Sequence, residues 1–302
     1  MSISTADIKK KITATENMSK ITKAMQMVSV AKLSKTEERL AHFKGYREEM
    51  SQVFAKLQQL AYVTDHPLTN GHRRNKNNQT IGIVLITSNR GLVGGYNNQI
   101  YQKMKEQRGF NSELFEMTEK VLEKEPHIKL YIAGQKGAVF AKNEWQESDV
   151  SCFIFPDETH YRHIVGLGNQ LIDDYLAGEI DEVVIIYQNF VSKLTQEATQ
   201  KVLLPLEMSQ VAPNKGLVDE IFPGEKEVCE EMLRQYVLME LYHVFLTANL
   251  SEHAARMNAM SGATDNAQDI IKESMIIYNR ARQATITQEL SEIVAGANAV
   301  SE

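Results

Sequence analysis

Two long stretches of the chain space their apolar residues for helices, and the segment between them spaces them for strands. In the first stretch Met18, Ile21, Met25 and Val28 step by three and four residues, which sets them on one helical face. After an interruption around Lys32 the stripe resumes with Leu40, Phe43, Tyr46, Met50, Phe54 and Leu57. Ser4, three residues before Asp7, offers a capping-box start. The last stretch opens after Pro223-Gly224 with Glu225, Glu227, Glu230 and Glu231, carboxylates that suit a positive helix start. From Leu233 through Val237, Leu238, Met239, Leu241, Tyr242, Val244, Phe245 and Leu246 it is apolar on nearly all sides, the pattern of a buried helix. Small residues follow (Ala254, Ala255, Ala259, Ser261, Ala263, Ala267), which let a partner helix approach closely. Ile271, Met275 and Tyr278 then continue the stripe.

Proline and glycine divide the chain in the same places. All six prolines lie between Pro67 and Pro223, so stretches of about 4–65 and 225–296 run almost without stop signals. Each stripe needs a shield, and the simplest one is the other helix, in an antiparallel coiled coil whose ends feed the central domain. The lengths do not match: at 1.5 Å per residue the carboxyl helix overhangs by roughly 15 residues, or about 22 Å. The overhang carries Ile286, Leu290, Ile293, Val294, Ala295, Ala297, Ala299 and Val300. An apolar tip at a position where chains are normally polar and frayed points to a socket in another protein; the alternative is a tip folded back on its own domain.

Between the helices, strands are expected at Thr80–Thr87, Ile128–Ala133, Ser151–Phe155, Glu182–Tyr187 and within Phe190–Leu206. Helical patterns fall near Asn97–Arg108, Glu113–Lys124, Gln135–Trp145 and Thr159–Leu176, and residues 66–79 read as a loop. Short apolar strands separated by helices indicate a mostly parallel sheet covered on both faces, with the last strand antiparallel. The expected fold class is therefore α/β: an antiparallel coiled coil of long terminal helices with an inserted Rossmann-like domain. Its segments are 1–65 (helix), 77–207 (α/β domain) and 218–302 (helix).

Composition narrows the class. The 302 residues are 43% hydrophobic and 24% charged, ordinary values for a folded protein. A net charge of −6 argues against general nucleic-acid binding. The exception is local: up to Arg47 there are ten Lys/Arg against four acidic residues, read either as a solvated helix face or as a basic contact surface. Two cysteines, Cys152 and Cys229, build neither a disulfide framework nor a Cys-rich metal site. No apolar run reaches the length of a spanning helix, and the amino end lacks an apolar signal core, so neither secretion nor membrane insertion is expected.

Catalytic chemistry finds little support. The glycine turn Ser88-Asn89-Arg90-Gly91-Leu92-Val93-Gly94-Gly95-Tyr96 sits where a phosphate loop would, after a strand and before a helix. It matches neither G-x-G-x-x-G nor the P-loop pattern and has no suitably placed lysine, which favours a tight strand-to-helix connection. His160 and His163 are three apart but lack an obvious third metal ligand; His243 and His253, ten apart on the long helix, read as packing or rim residues rather than ligands. There is no H-E-x-x-H or G-x-S-x-G motif. No catalytic residue, cofactor or metal is expected.

Several motifs do resemble those of a known family. Ile21-Thr22-Lys23-Ala24-Met25-Gln26-Met27-Val28, the glycine turn at 88–97, Arg256-Met257-Asn258-Ala259-Met260 with Ala263-Thr264-Asp265-Asn266-Ala267, and Tyr278-Asn279-Arg280-Ala281-Arg282-Gln283-Ala284-Thr285-Ile286-Thr287-Gln288-Glu289-Leu290 are similar to segments of ATP synthase gamma subunits, in the family's order. The resemblance implies the central shaft of the F1 motor, non-catalytic itself. Its helix pair would stand inside a hexamer of alpha and beta subunits, and its α/β domain beside the epsilon subunit on the membrane c-ring. It further implies a peripheral protein on the cytoplasmic side of the cell membrane, of bacterial type since no presequence stands before the first helix. By the same resemblance Lys20, Lys23 and Met25 lie near acidic loops of the beta subunits, with Arg256, Arg282, Gln283 and Thr287 in the facing layer of the carboxyl helix. Three departures stand out: Ser261-Gly262 where the family carries a longer side chain, Asn89 and Val93 in place of the commoner Asp and Cys, and no closely spaced cysteine pair of the chloroplast form. The competing reading is a free coiled-coil scaffold whose α/β domain binds an anion at the glycine turn through Arg90.

Overall fold

The computed structural model describes residues 5–71, 79–108, 127–144, 149–207 and 224–300. In chain order the elements are α1 (Thr5–Leu57), α2 (Ala61–Thr64), α3 (Pro67–Asn70), β1 (Thr80–Ile86), α4 (Tyr96–Arg108), β2 (His127–Ala133), α5 (Gln135–Glu144), β3 (Val150–Phe153), α6 (Tyr161–Leu176), β4 (Glu182–Phe190), β5 (Gln196–Leu204) and α7 (Glu225–Val300). They form two compact units, one of Met1–Ala31 with Arg256–Glu302 and one of Lys32–Ala255. The cap at Ser4, the helix expected at 113–124, Trp145 and residues 72–78 lie outside the described residues.

In the Lys32–Ala255 unit the sheet order is β3-β2-β1-β4-β5. The first four strands pair in parallel, and β5 returns antiparallel to β4. Both faces are apolar because helices cover both, so the strands read as near-continuous runs rather than alternations. On one face Val84, Ile86, Tyr131, Val183 and Ile185 pack with Leu167 and Leu171 of α6 and with Leu233, Val237, Leu241 and Val244 of α7. On the other, Ile83, Leu85, Leu130, Ile132 and Ile186 meet Ile100 and Met104 of α4 and Ala141 of α5. The all-round apolar stretch of α7 is buried, as its composition requires. Gly168 of α6 allows this packing, because a Cβ there would overlap Leu238 Cδ2.

Some boundaries differ from those the sequence leads one to expect, for local reasons. β3 stops at Phe153 rather than Phe155; the Phe155 carbonyl accepts instead from Asn89 Nδ2, at 2.7 Å. α1 stops at Leu57 although no proline or glycine is near. The Gln59 and Leu60 amides fall back to the carbonyls three residues earlier, tightening the last turn, and Leu57, Val63 and Leu68 enter the core. Burial decides here, not local propensity. The expected loop from 66 begins as a helical turn, α3, capped by His66, whose Nδ1 accepts from the Leu68 amide at 3.2 Å.

The lower part of α1 is tied to the rest of this unit by rings and charges. Phe54 stacks on Tyr236 with centroids 4.0 Å apart, and Phe43 meets Tyr242 edge-on at 5.0 Å. Arg47 of α1 grips Glu240 of α7 through both carboxylate oxygens, at 2.7 and 3.2 Å, and Lys201 of β5 bonds the second oxygen. Nearer the surface, Lys32 pairs with Asp157, while Lys35 and Arg39 both pair with Glu158, in the loop before α6.

In the other unit α1 and α7 pack together, but on a face that hydrophobic spacing does not favour. The buried or half-buried positions of α1 include Ile8, Ile12, Thr15, Ser19, Thr22, Gln26 and Ser29, alternating steps of four and three without interruption. Met18, Ile21 and Val28 are more than half exposed and Met25 is only half-buried, so the expected stripe is not the seam. The seam instead mixes small and polar residues with Ile8, Ile12, Met260 and Ile271. Its hydroxyls satisfy themselves: Ser29 donates to the Met25 carbonyl and Thr15 to that of Lys11. Thr22 and Thr264 share a buried hydrogen bond of 2.8 Å between the helices. On α7 the seam runs through Met260, Thr264, Ala267, Ile271, Ser274, Tyr278 and Ala281, with Ser274 in the place expected of Met275, which is exposed.

Candidate partner-contact surface

All seven residues singled out from sequence fall in the Met1–Ala31/Arg256–Glu302 unit. Helical periodicity fixes which way each points. Lys20 and Lys23 lie off the seam and are exposed, and Lys23 Nζ donates to Gln26 Oε1 at 3.1 Å. Met25 is half-buried at the seam edge, and Arg256 is half-buried at the lower end of this unit's α7 segment. Arg282, Gln283 and Thr287 are exposed beyond the last paired position, and the Thr287 hydroxyl donates back to the Gln283 carbonyl at 2.9 Å.

The seam stops at Ala281, and every residue from Arg282 to Val294 is exposed while the helix continues to Val300. That exposed turn-after-turn surface includes Ile286, Leu290, Ile293 and Val294. The side chains of Ala295, Ala297, Ala299 and Val300 lie outside the described residues. The overhang is thus real and slightly longer than expected, and its residues stay in helical extension rather than burying themselves. Below the end of the seam, further apolar side chains face outward that sequence reasoning missed: Met27 on α1, and Ile270, Ile276 and Ile277 on α7. A signal for them exists in the consecutive Ile276-Ile277, since two adjacent residues cannot both sit on one narrow seam.

Charge sorts in the same way. Of the basic run in α1, Lys32, Lys35 and Arg39 are taken by Asp157 and Glu158 within the Lys32–Ala255 unit. Lys35 and Arg39 hold the Glu158 carboxyl below its usual value. Lys9, Lys10, Lys11 and Lys20 are exposed, with only Asp7 and Glu16 as acidic residues in the first 31 positions. A cationic, partly apolar helix surface can orient an acidic partner more surely than it can bind it tightly.

The glycine turn has other employment. The Ser88 amide donates to Asn97 Oδ1 at 3.0 Å, Asn97 Nδ2 returns to Ser88 Oγ at 2.8 Å, and Ser88 Oγ donates to the Arg90 carbonyl. Asn89 links the turn to the Gln135 amide and the Phe155 carbonyl. Arg90 pairs with Asp157 at 3.3 Å. The backbone bends through Leu92 and Gly94, both at positive φ. These bonds make a tight connection whose polar groups already serve the fold. Elsewhere, the His160 amide donates to His163 Nδ1, so that pair caps α6. Among the described residues no three His, Cys, Asp or Glu side chains gather as a metal site.

Two groups of α7, Glu240 and His243, are electrostatically perturbed. Burial raises the Glu240 carboxyl, but Arg47 and Lys201 outweigh it and hold the group below its ordinary value. Burial, and then Arg47, pushes His243 down to about 4, so it is neutral at neutral pH.

Comparison with known proteins matches this chain to the family described as ATP synthase over residues 4–300. It is 34% identical over 295 residues to a protein of Symbiobacterium thermophilum named ATP synthase gamma chain, covering 97% of each chain. The like-named protein of Desulfitobacterium hafniense is 35% identical over 298 residues, covering 98% of this chain and 99% of its own. Among solved structures, a chain of the Euglena gracilis mitochondrial ATP synthase (OSCP/F1/c-ring) superposes with a TM-score of 0.67 at 16% identity, over 98% of this chain and 94% of that one. A chain of the Tetrahymena thermophila mitochondrial ATP synthase central stalk and c-ring gives 0.59 at 20% identity, over 80% and 99%. Sequence similarity along nearly the whole length, with the same α/β-plus-helix-pair fold, places the chain in the ATP synthase gamma chain family.

Proposed function

We propose that this chain is the central rotor shaft of an F1Fo ATP synthase. It is a non-catalytic subunit that transmits torque between a proton-driven membrane c-ring and the alpha/beta hexamer where ATP is made, and so governs ATPase activity and proton flow. The observation that carries this reading is the length of α7 left exposed past Ala281, with Ile286, Leu290, Ile293 and Val294 in water. At about 25 cal/mol per Å² such surface is costly to leave wet and is offset by a surrounding collar of subunits. Lys20, Lys23 and Met25 on α1, with Arg256, Arg282, Gln283 and Thr287 on α7, form the contact layers toward that hexamer. Segments 77–207 serve as the base, beside an epsilon subunit and on the c-ring, and segments 1–65 and 218–302 as the shaft. No described helix is long and apolar enough to cross a membrane. In this reading the protein works as a peripheral member of the complex on the cytoplasmic side of the cell membrane, held by its partners. The test is release from membranes by a low-salt wash without detergent. The chain is expected to leave together with an ATPase and to stay with it through size-exclusion; recovery alone or with unrelated proteins contradicts the assignment.

A further inference from the structure

Torque that enters an α/β base must cross from the sheet into two helices, and most of the boundary between them is poorly suited to carry it. The apolar layer of Leu167, Leu171, Val237, Leu241 and Val244 resists separation but has no directional bonds against shear. The pairs Lys35–Glu158 and Lys193–Glu37 are directional but wet, each partner at least a third exposed, so water and salt loosen them. Glu240 differs on both counts. Its side chain is 7% exposed, and its two oxygens are held from two other elements. Arg47 of α1 bonds Oε1 at 2.7 Å and Oε2 at 3.2 Å, a planar fork that fixes the carboxylate's orientation. Lys201 of β5 bonds Oε2. Lys201 stands directly opposite Ile185 of β4 in the ladder, so the strand that carries it is bonded edge-on to the parallel sheet.

We propose that Glu240 is a positioning residue for torque transfer: Lys201, Glu240 and Arg47 form a charged directional link through which the sheet drives α7 and α1 together. The proposal rests on the rotor reading above. It assigns the link to the side chains of three elements, with Lys201 as the only one contributed by the sheet.

The experiment uses the assembled ATP synthase in vesicles carrying Lys201→Met, Lys201→Arg or Glu240→Gln. Lys201→Met leaves the Arg47–Glu240 pair in place and removes only the strand's contribution. ATP hydrolysis with an uncoupler present, and the proton gradient sustained at saturating ATP without it, are measured on the same vesicles. Expected is unchanged uncoupled hydrolysis for Lys201→Met with the sustained gradient reduced at least about twofold, recovery in Lys201→Arg, and a loss in Glu240→Gln at least as large. A wild-type gradient in Lys201→Met overturns the proposal, as does a loss in Lys201→Arg equal to that in Lys201→Met. If Glu240→Gln fails to assemble, the Lys201 pair decides alone. Absence of the unmodified chain from the active complex sinks the rotor reading instead, and is visible in the subunit composition.

Discussion

Gly262 and His243 show how much single residues of α7 can be varied or must be kept. Gly262 lies inside the helix, and a Cβ added to it would meet nothing within 4 Å. The glycine has no packing reason to be there. Gly262→Ala is expected to stabilise the chain by about 1 kcal/mol, raising the melting temperature by about 2 °C in calorimetry. His243 acts through protonation. Its folded value near 4 lies below the ordinary 6.5, so the unfolded chain binds the extra proton first. Its contribution is complete above pH 6.5 and is lost as pH falls toward 4; Glu240, also depressed, adds its own loss only below 4.5. Denaturant midpoints measured from pH 7 to 5 are therefore expected to fall less steeply in His243→Gln than in the parent, because this histidine's contribution changes across that window while that of Glu240 does not.

At the scale of elements, the overhanging end of α7 makes the clearest expectation. Leu290→Glu with Ile293→Glu replaces two exposed apolar side chains, so the stability of the isolated chain should change by less than about 0.5 kcal/mol. Its solubility should rise, and its incorporation into an ATPase complex should fall, as read by co-sedimentation. The sheet and the buried half of α7 were legible in the sequence because burial on all sides leaves unbroken apolar runs such as Ile83-Val84-Leu85-Ile86. The helix seam of the first unit was not. Thr15, Ser19, Thr22 and Ser29 fill much of its α1 side, while Met18, Ile21, Met27 and Val28 face outward, so hydrophobic spacing in that stretch points to the wrong face. Hydroxyls bonded to their own helix, as in Ser29 to Met25, enter a seam without the usual cost of a buried polar group. The same reversal explains why the contact candidates were only partly legible. Lys20 and Lys23 stand out by charge, but Met27, Ile276 and Ile277 look like core until the seam is known.

For the whole molecule, the net charge of −6 conceals a division of labour among its cations. Several of those in the Lys32–Ala255 unit are spent on internal carboxylates: Lys32, Lys35 and Arg39 on Asp157 and Glu158, Arg47 and Lys201 on Glu240. Lys20 and Lys23 bind no carboxylate among the described residues, in keeping with the partner contacts proposed for them. Lys20→Gln with Lys23→Gln should leave the melting temperature unchanged within about 0.5 kcal/mol of stability while weakening the salt dependence of ATPase activity in the assembled enzyme. The central claim is that the exposed end of α7 turns within a ring of other subunits. A cysteine placed at Ile286, with Cys152 replaced by serine, tests it most directly through cross-linking inside the native complex. Expected are disulfide or short-linker products with the alpha and beta subunits, and ATP-driven rotation blocked until the link is reduced. Cross-links only to the chain's own α/β domain, or full activity with the link in place, would contradict it.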